Sequence, residues 1–126
     1  MDPLHDPIPG AEHREVAGVS IDVVKVGGVR VKRVLYPPGF RWSTHMKPVV
    51  GTAHCQHAHV GFLVRGRVQG TYADGCAFDL RAPRTVALDP GHDAWVVGDE
   101  PAVLIEFDAE GDTVRRFGLP AAHGHA

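Results

Sequence analysis

The chain has 126 residues, 44% of them apolar, and a formal net charge of -2 at pH 7. This length is typical of one domain, and the apolar content is sufficient for one packed core. The 13 Lys and Arg residues are scattered, which argues against a nucleic-acid partner. No stretch approaches the roughly 20 apolar residues that cross a bilayer, and the acidic, proline-rich N-terminus lacks a signal-peptide pattern. We therefore expect a cytoplasmic protein with neither a membrane nor a nucleic-acid partner.

Fifteen Gly and ten Pro residues divide the chain into short segments, none of them convincingly helical. Residues 1–15 are predicted to form an irregular arm. Valine-rich and apolar segments that end at Gly, Pro or Asp then predict a series of strands. The predicted extended segments are residues 19–26, 29–36, 55–64, 67–72, 76–80, 84–88, 94–97 and 102–107. Gly27-Gly28 is a strong hairpin-turn signal, and residues 114–117 are predicted to form a short extended or helical piece.

Many short strands separated by turns are typical of an antiparallel sandwich or barrel. An immunoglobulin-like sandwich is the alternative, but the chain lacks the Cys-Trp-Cys pattern of that fold. The predicted organisation is an N-terminal arm over residues 1–18, a barrel over 19–108 and a C-terminal tail over 109–126. Ligand sites in such barrels lie inside and are reached from one mouth.

Three histidines and a cysteine fall within the six residues 54–59. If this segment is extended, Cys55, His57 and His59 point to one face, with successive Cα atoms roughly 6–7 Å apart. Three such donors can converge on one metal ion. The alternative is a polar pocket in which these side chains are hydrogen-bonded to one another.

A second group of candidates follows the turn Asp89-Pro90-Gly91. His92 opens a strand, where its side chain could point inward. Asp93 could orient a histidine, or it could simply stabilise the turn.

The cysteines as a pair and the histidines near the C-terminus indicate less about function. Cys55 and Cys76 do not make a disulfide framework, and either could be a small buried apolar group. His123 and His125 lie in an Ala/Gly/Pro-rich tail, where we expect both to be solvated.

Aromatic and polar residues around the histidines are candidates for a ligand pocket. The segment from Trp42 to Pro48 places a tryptophan, a histidine and a lysine before a proline, and it could line a pocket rim or form an edge strand. Two tryptophans would supply apolar contact area for a ligand. The candidate pocket residues are Trp42, His45, Lys47, Gln56, Asp93 and Trp95.

Taken together, these motifs resemble the small single-domain cupins, the cupin type-2 conserved barrels. Residues 61–68 (GFLVRGRV) are similar to the strand and glycine turn that close the first cupin motif. One subgroup is resembled more closely, through residues 89–101 (DPGHDAWVVGDEP), 42–48 (WSTHMKP), Gly51-Thr52, Cys55-Gln56, His59 and Gly61. The resemblance covers roughly residues 20–108. It implies an all-β fold, an antiparallel cupin-type barrel (a double-stranded β-helix or jelly roll), and a homodimer.

Many cupins hold one divalent metal ion through three histidines and an acid. In this sequence the four ligand slots fall on Ala53, Cys55, His59 and Ala94. The resemblance therefore implies a substitute set of Cys55, His59 and His92, with His57 as an extra donor. A thiolate, and histidine in place of a carboxylate, favour Zn, Fe or Cu over Mg or Mn. The expected cofactor is a divalent transition metal (Zn, Fe, Cu, Ni or Mn).

Three functions remain as alternatives. The first is a metal-dependent oxygenase, isomerase or hydrolase that acts on a small organic substrate, with His45, Lys47 or Asp93 as acid, base or anion anchor. The second is a non-catalytic module that binds or senses a small ligand. The third is a scaffold whose pocket histidines are satisfied internally. The sequence lacks a nucleotide-binding glycine loop, a nucleophile elbow and a paired-carboxylate signature.

Overall fold

The computed structural model describes residues 2–109 and 111–123, which contain nine strands and three helices. The strands are β1 (Glu12–Val16), β2 (Val19–Val26), β3 (Val29–Tyr36), β4 (His59–Arg65), β5 (Arg67–Tyr72), β6 (Ala77–Arg81), β7 (Arg84–Leu88), β8 (His92–Val96) and β9 (Ala102–Asp108). The helices are α1 (Trp42–His45), α2 (Lys47–Val50) and α3 (Thr113–Arg116). Within the described residues, none of these helices is long and apolar enough to cross a membrane.

The strands form two antiparallel sheets. The larger sheet has the order β1-β2-β3-β9-β4-β7, and the smaller has the order β6-β5-β8. The chain passes from the larger sheet to the smaller one at Gly66, between β4 and β5. Side chains from both sheets line one cavity of about 310 Å³. Two antiparallel sheets around a shared interior are the arrangement of a jelly roll.

The hydrophobic alternation of the sequence accounts for most of the strands. β2, β3, β5 and β7 have the predicted bounds, and β6, β8 and β9 differ by one or two residues. Valine and isoleucine favour extended backbone, and the alternation in β2 and β3 turns Val19, Ile21 and Val34 toward the cavity. Gly27 in the hairpin between these strands has a φ of +60°, as such turns require.

Two segments differ from the predicted strands. Residues 42–50 form the short helices α1 and α2 rather than an edge strand, and Pro48 lies in the first turn of α2, where a missing N–H is tolerated. The strand predicted over residues 55–64 begins only at His59, because Cys55 forms an isolated bridge with His92 of β8 instead.

The N-terminal segment is tied to the larger sheet. Residues 12–16 form β1 along the edge of β2, so the prediction of an irregular arm over residues 1–15 is wrong there. Arg33 donates hydrogen bonds to the Pro3 carbonyl at 2.9 Å and to the Asp22 carboxylate at 3.0 Å. His13 lies 2.8 Å from the other oxygen of Asp22. Asp22 and Arg33 are both buried, and these contacts satisfy charges that would otherwise be costly to bury.

The C-terminal segment also packs on the barrel. The short piece predicted near residues 114–117 is the helix α3. His123 is half-buried and stacks on the ring of Tyr72, so the expectation that it is solvated is wrong. His125 lies outside the described residues.

Gly61 lies where β4 passes close to β9. A Cβ at this position would collide with the carbonyl oxygen of Ile105 and would lie 2.9 Å from the Cα of Glu106. We expect Gly61→Ala to lower the free energy of unfolding by about 1–3 kcal/mol, as overpacking does, in chemical denaturation. Gly28→Ala is the control, because the added Cβ would meet only the flexible end of Arg116, 3.4 Å away. Equal destabilisation by both substitutions would contradict this account.

Candidate metal centre

A backbone bridge to the start of β8 places Cys55 in the cavity wall. The Cys55 N–H donates to the carbonyl of His92 at 2.7 Å, and the Cys55 carbonyl accepts from the N–H groups of Gly91 at 2.7 Å and His92 at 3.2 Å. Cys55 and His92 are both buried, with 5% and 2% of their surfaces exposed. The bridge therefore holds a thiol and an imidazole next to each other inside the barrel.

His59, the first residue of β4, completes the cluster. Its Nε2 lies 3.7 Å from Sγ of Cys55, and its ring centroid lies 5.1 Å from that of His92. One donor atom from each of these three residues lies within 4.8 Å of the other two. Tetrahedral donors at about 2.0–2.3 Å from one zinc ion lie roughly 3.3–3.8 Å apart. The Sγ of Cys55 and the Nε2 of His59 already have this spacing, so small side-chain movements would bring the three donors onto one metal ion.

Both imidazoles are held through their Nδ1 atoms. Nδ1 of His59 lies 2.7 Å from Oε1 of Glu106, and Nδ1 of His92 lies 2.8 Å from the carbonyl oxygen of Asp89. The carbonyl oxygen can only accept a hydrogen bond, so Nδ1 of His92 is the donor to Asp89. A carboxylate or carbonyl in this place orients metal-binding histidines in proteins. The cluster therefore has the supporting hydrogen bonds that a metal centre requires.

The Cys55 thiol and the His59 imidazole stabilise each other in their charged forms. Burial opposes ionisation of Cys55, but hydrogen bonds with His57, His59 and His92 outweigh it and lower the pKa of the thiol to about 3. Burial also opposes a charge on His59, but the negative charge of Glu106 and hydrogen bonds with Cys55 and Glu106 raise its pKa to about 10. A thiolate is the form of cysteine that binds metal ions, and a metal ion would displace the proton from Nε2 of His59.

The rest of the cavity is largely apolar. Its large side chains come from both sheets, from α1 and from the residues beside α1, and they are Tyr36, Phe40, Trp42, Met46 and Trp95. Three charged residues also line the cavity. Arg30 and Lys32 both form ion pairs with the carboxylate of Asp108. A volume of about 310 Å³ is at the lower end of the range for small-molecule pockets.

The structure brings three of the four predicted metal ligands together. Cys55, His59 and His92 form the cluster, whereas His57 is exposed and lies outside it, although it contacts the thiol of Cys55. The assumed alternation fails because residues 56–58 are not part of a strand, and Ala58 is buried where an extended chain would turn it away. A role for His57 as an extra donor stays a prediction.

Three of the predicted pocket residues line the cavity, namely Trp42, Gln56 and Trp95. His45 and Lys47 do not line it and are exposed. The helical conformation of α1 and α2 turns these two side chains toward solvent, and a role for them at the pocket rim stays a prediction.

The carboxylate of Asp93 contacts Ser43 and Arg41 rather than a histidine. Its Oδ1 accepts a hydrogen bond from the N–H of Ser43 at 2.9 Å, and its Oδ2 lies 3.4 Å from the guanidinium of Arg41. The guanidinium carbon of Arg41 in turn lies 4.1 Å from the centroid of the Trp95 ring. Asp93 therefore fastens α1 to the smaller sheet and does not orient a histidine of the cluster.

Sequence reasoning missed Glu106, the carboxylate that orients His59. Leu104, Glu106 and Asp108 alternate along β9 and all line the cavity. An acid in the inward-facing phase of a predicted strand must find a partner inside the barrel. The alternation of residues along the predicted strand 102–107 is therefore the sequence signal that indicates an inward-facing Glu106.

In metal-free protein we expect the Cys55 thiol to stay ionised at neutral pH, because its pKa is lowered to about 3. The measurement is the ultraviolet absorbance of the thiolate during an acid titration of Cys76→Ala, in which Cys55 is the remaining cysteine. The absorbance should be present at neutral pH and disappear only as the pH falls toward 3. The double variant Cys55→Ala/Cys76→Ala, which has no cysteine, is the control and should lack this signal. A thiolate that forms only near the ordinary pKa of 9.0 would contradict the assignment.

Solved structures, cupin domains among them, resemble this chain over most of its length. A Cupin 2 conserved barrel domain protein from Salinispora arenicola has a TM-score of 0.57 and 18% identity, with 90% of this chain and 93% of that chain covered. Ectoine synthase from P. lautus has a TM-score of 0.56 and 12% identity, covering 90% of this chain and 86% of that chain. The Cnp3 cupin domain from Schizosaccharomyces pombe has a TM-score of 0.54 and 11% identity, covering 89% and 78%.

At the level of sequence, no protein-family model and no curated protein matches this chain. Identities of 11–18% support a shared fold, and a shared fold does not by itself imply a shared function. The likeness nevertheless agrees with the two antiparallel sheets and the enclosed cavity described above. The chain therefore has the fold of the small cupins, an antiparallel jelly-roll barrel, as its sequence motifs predicted.

Proposed function

We propose that this protein binds one divalent transition metal ion in its barrel cavity and uses it to act on a small organic molecule. The observation that supports this function is the convergence of the Cys55 thiolate with the imidazoles of His59 and His92. Each imidazole is already oriented by a hydrogen bond at Nδ1. One sulfur and two nitrogen donors favour Zn, Fe or Cu over Mg.

Three protein ligands leave a coordination position open, as in catalytic rather than structural zinc sites. A metal ion held there would polarise a substrate oxygen or lower the pKa of a bound water. The residues of the chain would hold and enclose the reactants. Glu106 and the Asp89 carbonyl keep the two imidazoles in place, while Trp42 and Trp95 offer apolar area to a substrate.

The apolar lining and the cavity of about 310 Å³ support a small, partly apolar substrate. The reaction classes that remain are those of a metal-dependent oxygenase, isomerase or hydrolase. The homodimer and the cytoplasmic location that the sequence analysis anticipated stay predictions.

The metal content of purified, untagged protein tests the proposal. We expect His59→Ala and Cys55→Ala each to contain one transition metal ion fewer per chain than the wild type, because each loses a ligand of the cluster. Elemental analysis after gel filtration measures the content, and His5→Ala is the control, since its imidazole lies outside the cluster. If the wild type contains no metal and added Fe²⁺, Zn²⁺ or Mn²⁺ leaves its melting temperature unchanged, the metal assignment is refuted. The cavity would then be that of a non-catalytic ligand-binding module.

Removal of the Glu106 charge should weaken metal binding without opening a cavity. We expect Glu106→Gln to reduce the affinity for Zn²⁺ by about 10–100-fold, as loss of a histidine-orienting carboxylate does, in competition with a chelator. Glu100→Gln is the matched control, because Glu100 is exposed and lies 3.5 Å from Arg65, away from the cluster. Equal affinities of the two variants would contradict a supporting role for Glu106.

A further inference from the structure

The turn between β5 and β6 meets the C-terminal segment beside Tyr72. Asp74 and Cys76 flank Gly75 in this turn, which is held by hydrogen bonds from the Gly75 N–H to the Tyr72 carbonyl at 2.9 Å and from the Tyr72 N–H to the Cys76 carbonyl at 2.8 Å. His123 lies against the Tyr72 ring, with the ring centroids 3.8 Å apart and the planes inclined by 10°. Residues from two distant parts of the chain are therefore brought together outside the cavity lining.

A carboxylate, a thiol and an imidazole converge at this point. One donor atom each from Asp74, Cys76 and His123 lies within 4.8 Å of the other two. Oδ1 of Asp74 accepts the N–H of Cys76 at 2.9 Å, while Oδ2 lies 3.8 Å from Nε2 of His123. Two of the three donors thus lie on a hydrogen-bonded turn, and the third is positioned by ring stacking.

The orientation of His123 matches that of a metal-binding histidine. Its Nδ1 lies 3.2 Å from Oδ2 of Asp89, while Nε2 is buried and lies on the side of Asp74. The same arrangement holds His59 in the cavity, where Glu106 occupies the position that Asp89 takes here. A carboxylate at Nδ1 fixes the ring and raises the basicity of Nε2. This contact is independent of the proximity of the three donors.

We propose that Asp74, Cys76 and His123 form a second site for a divalent transition metal ion, with Asp89 as the hydrogen-bond partner of His123. Oxygen, sulfur and nitrogen donors together suit Zn²⁺ or Co²⁺. The bound ion fastens the C-terminal segment to the β5–β6 turn. This site shares no ligand with the cluster in the cavity and does not depend on the proposed function.

The second site also supports the cavity cluster from outside. Asp89 contacts His123 through its carboxylate and His92 through its carbonyl. The ring of Tyr72 stacks on His123 and lies edge-on to His92, with centroids 6.1 Å apart. An ion that holds His123 in place therefore restrains two groups that pack against a cavity ligand.

Counting metal ions separates the two sites. Untagged protein is equilibrated with Zn²⁺ and passed through gel filtration, and the ions per chain are measured for the wild type, Cys55→Ala, Cys76→Ala and the double variant. We expect each single variant to lose one ion and the double variant to lose both. Loss in Cys76→Ala but not in Cys55→Ala would support the second site while the cavity site fails. No loss in Cys76→Ala would overturn the second site, whatever happens to the first.

Two further variants guard against a failure of Cys76→Ala to fold. Asp74→Asn keeps the oxygen that accepts the Cys76 N–H and removes only the charge, so it should also lose the second ion. Asp89→Asn should weaken Zn²⁺ binding at this site by about 10–100-fold, measured in the Cys55→Ala background. Unchanged binding in both of these variants would overturn the proposal.

Hydrogen exchange tests the fastening of the C-terminal segment. Saturating Zn²⁺ should slow amide exchange in peptides that cover residues 117–123 of the wild type, but not in His123→Ala. His5→Ala, which alters a histidine outside both clusters, should behave like the wild type. Exchange that is equally fast with and without Zn²⁺ in the wild type would overturn the proposed role of the ion.

Discussion

The hydrogen bond between Glu106 and His59 organises the polar part of the barrel interior. Glu106 is 5% exposed, and a buried carboxylate destabilises a fold unless it is paired. His59 supplies the paired charge and in turn stabilises the thiolate of Cys55. The contact depends on the register of β4 and β9, which pairs Gly61 with Glu106. A shift of that register by one residue would turn Glu106 to the outer face. The geometry of the site therefore depends on the pairing of β4 with β9.

The donors of the cavity cluster come from three places in the chain. His59 begins β4, His92 begins β8, and Cys55 lies in an irregular segment that joins β8 through a two-residue bridge. Because the chain is not extended between Cys55 and His59, both side chains reach the same point while His57 remains exposed. The departure from regular strand structure is therefore what makes the donor set compact.

The likeness to solved cupin structures concerns the fold, whereas the donor set follows from side-chain contacts within this chain. The proposed chemistry accordingly depends on individual contacts rather than on the fold. Two histidines, His59 and His123, are oriented by carboxylates in the same way, one inside the barrel and one outside. Asp89 and Tyr72 lie between these environments and contact His92 as well. The structure thus connects the cavity wall with the C-terminal segment through a small number of packed groups.

The sequence by itself determined the strand pattern, the antiparallel barrel and three of the residues that cluster in the cavity. Local hydrophobic alternation and turn residues specify these features, and Cys55, His59 and His92 stand out by residue type and position. Only the tertiary structure decided that Asp93 fastens α1, that Glu106 orients His59, and that His123 packs on Tyr72. Each of these contacts joins residues that are far apart in the chain. Their partners depend on sheet register and on the path of irregular segments, which local patterns do not specify.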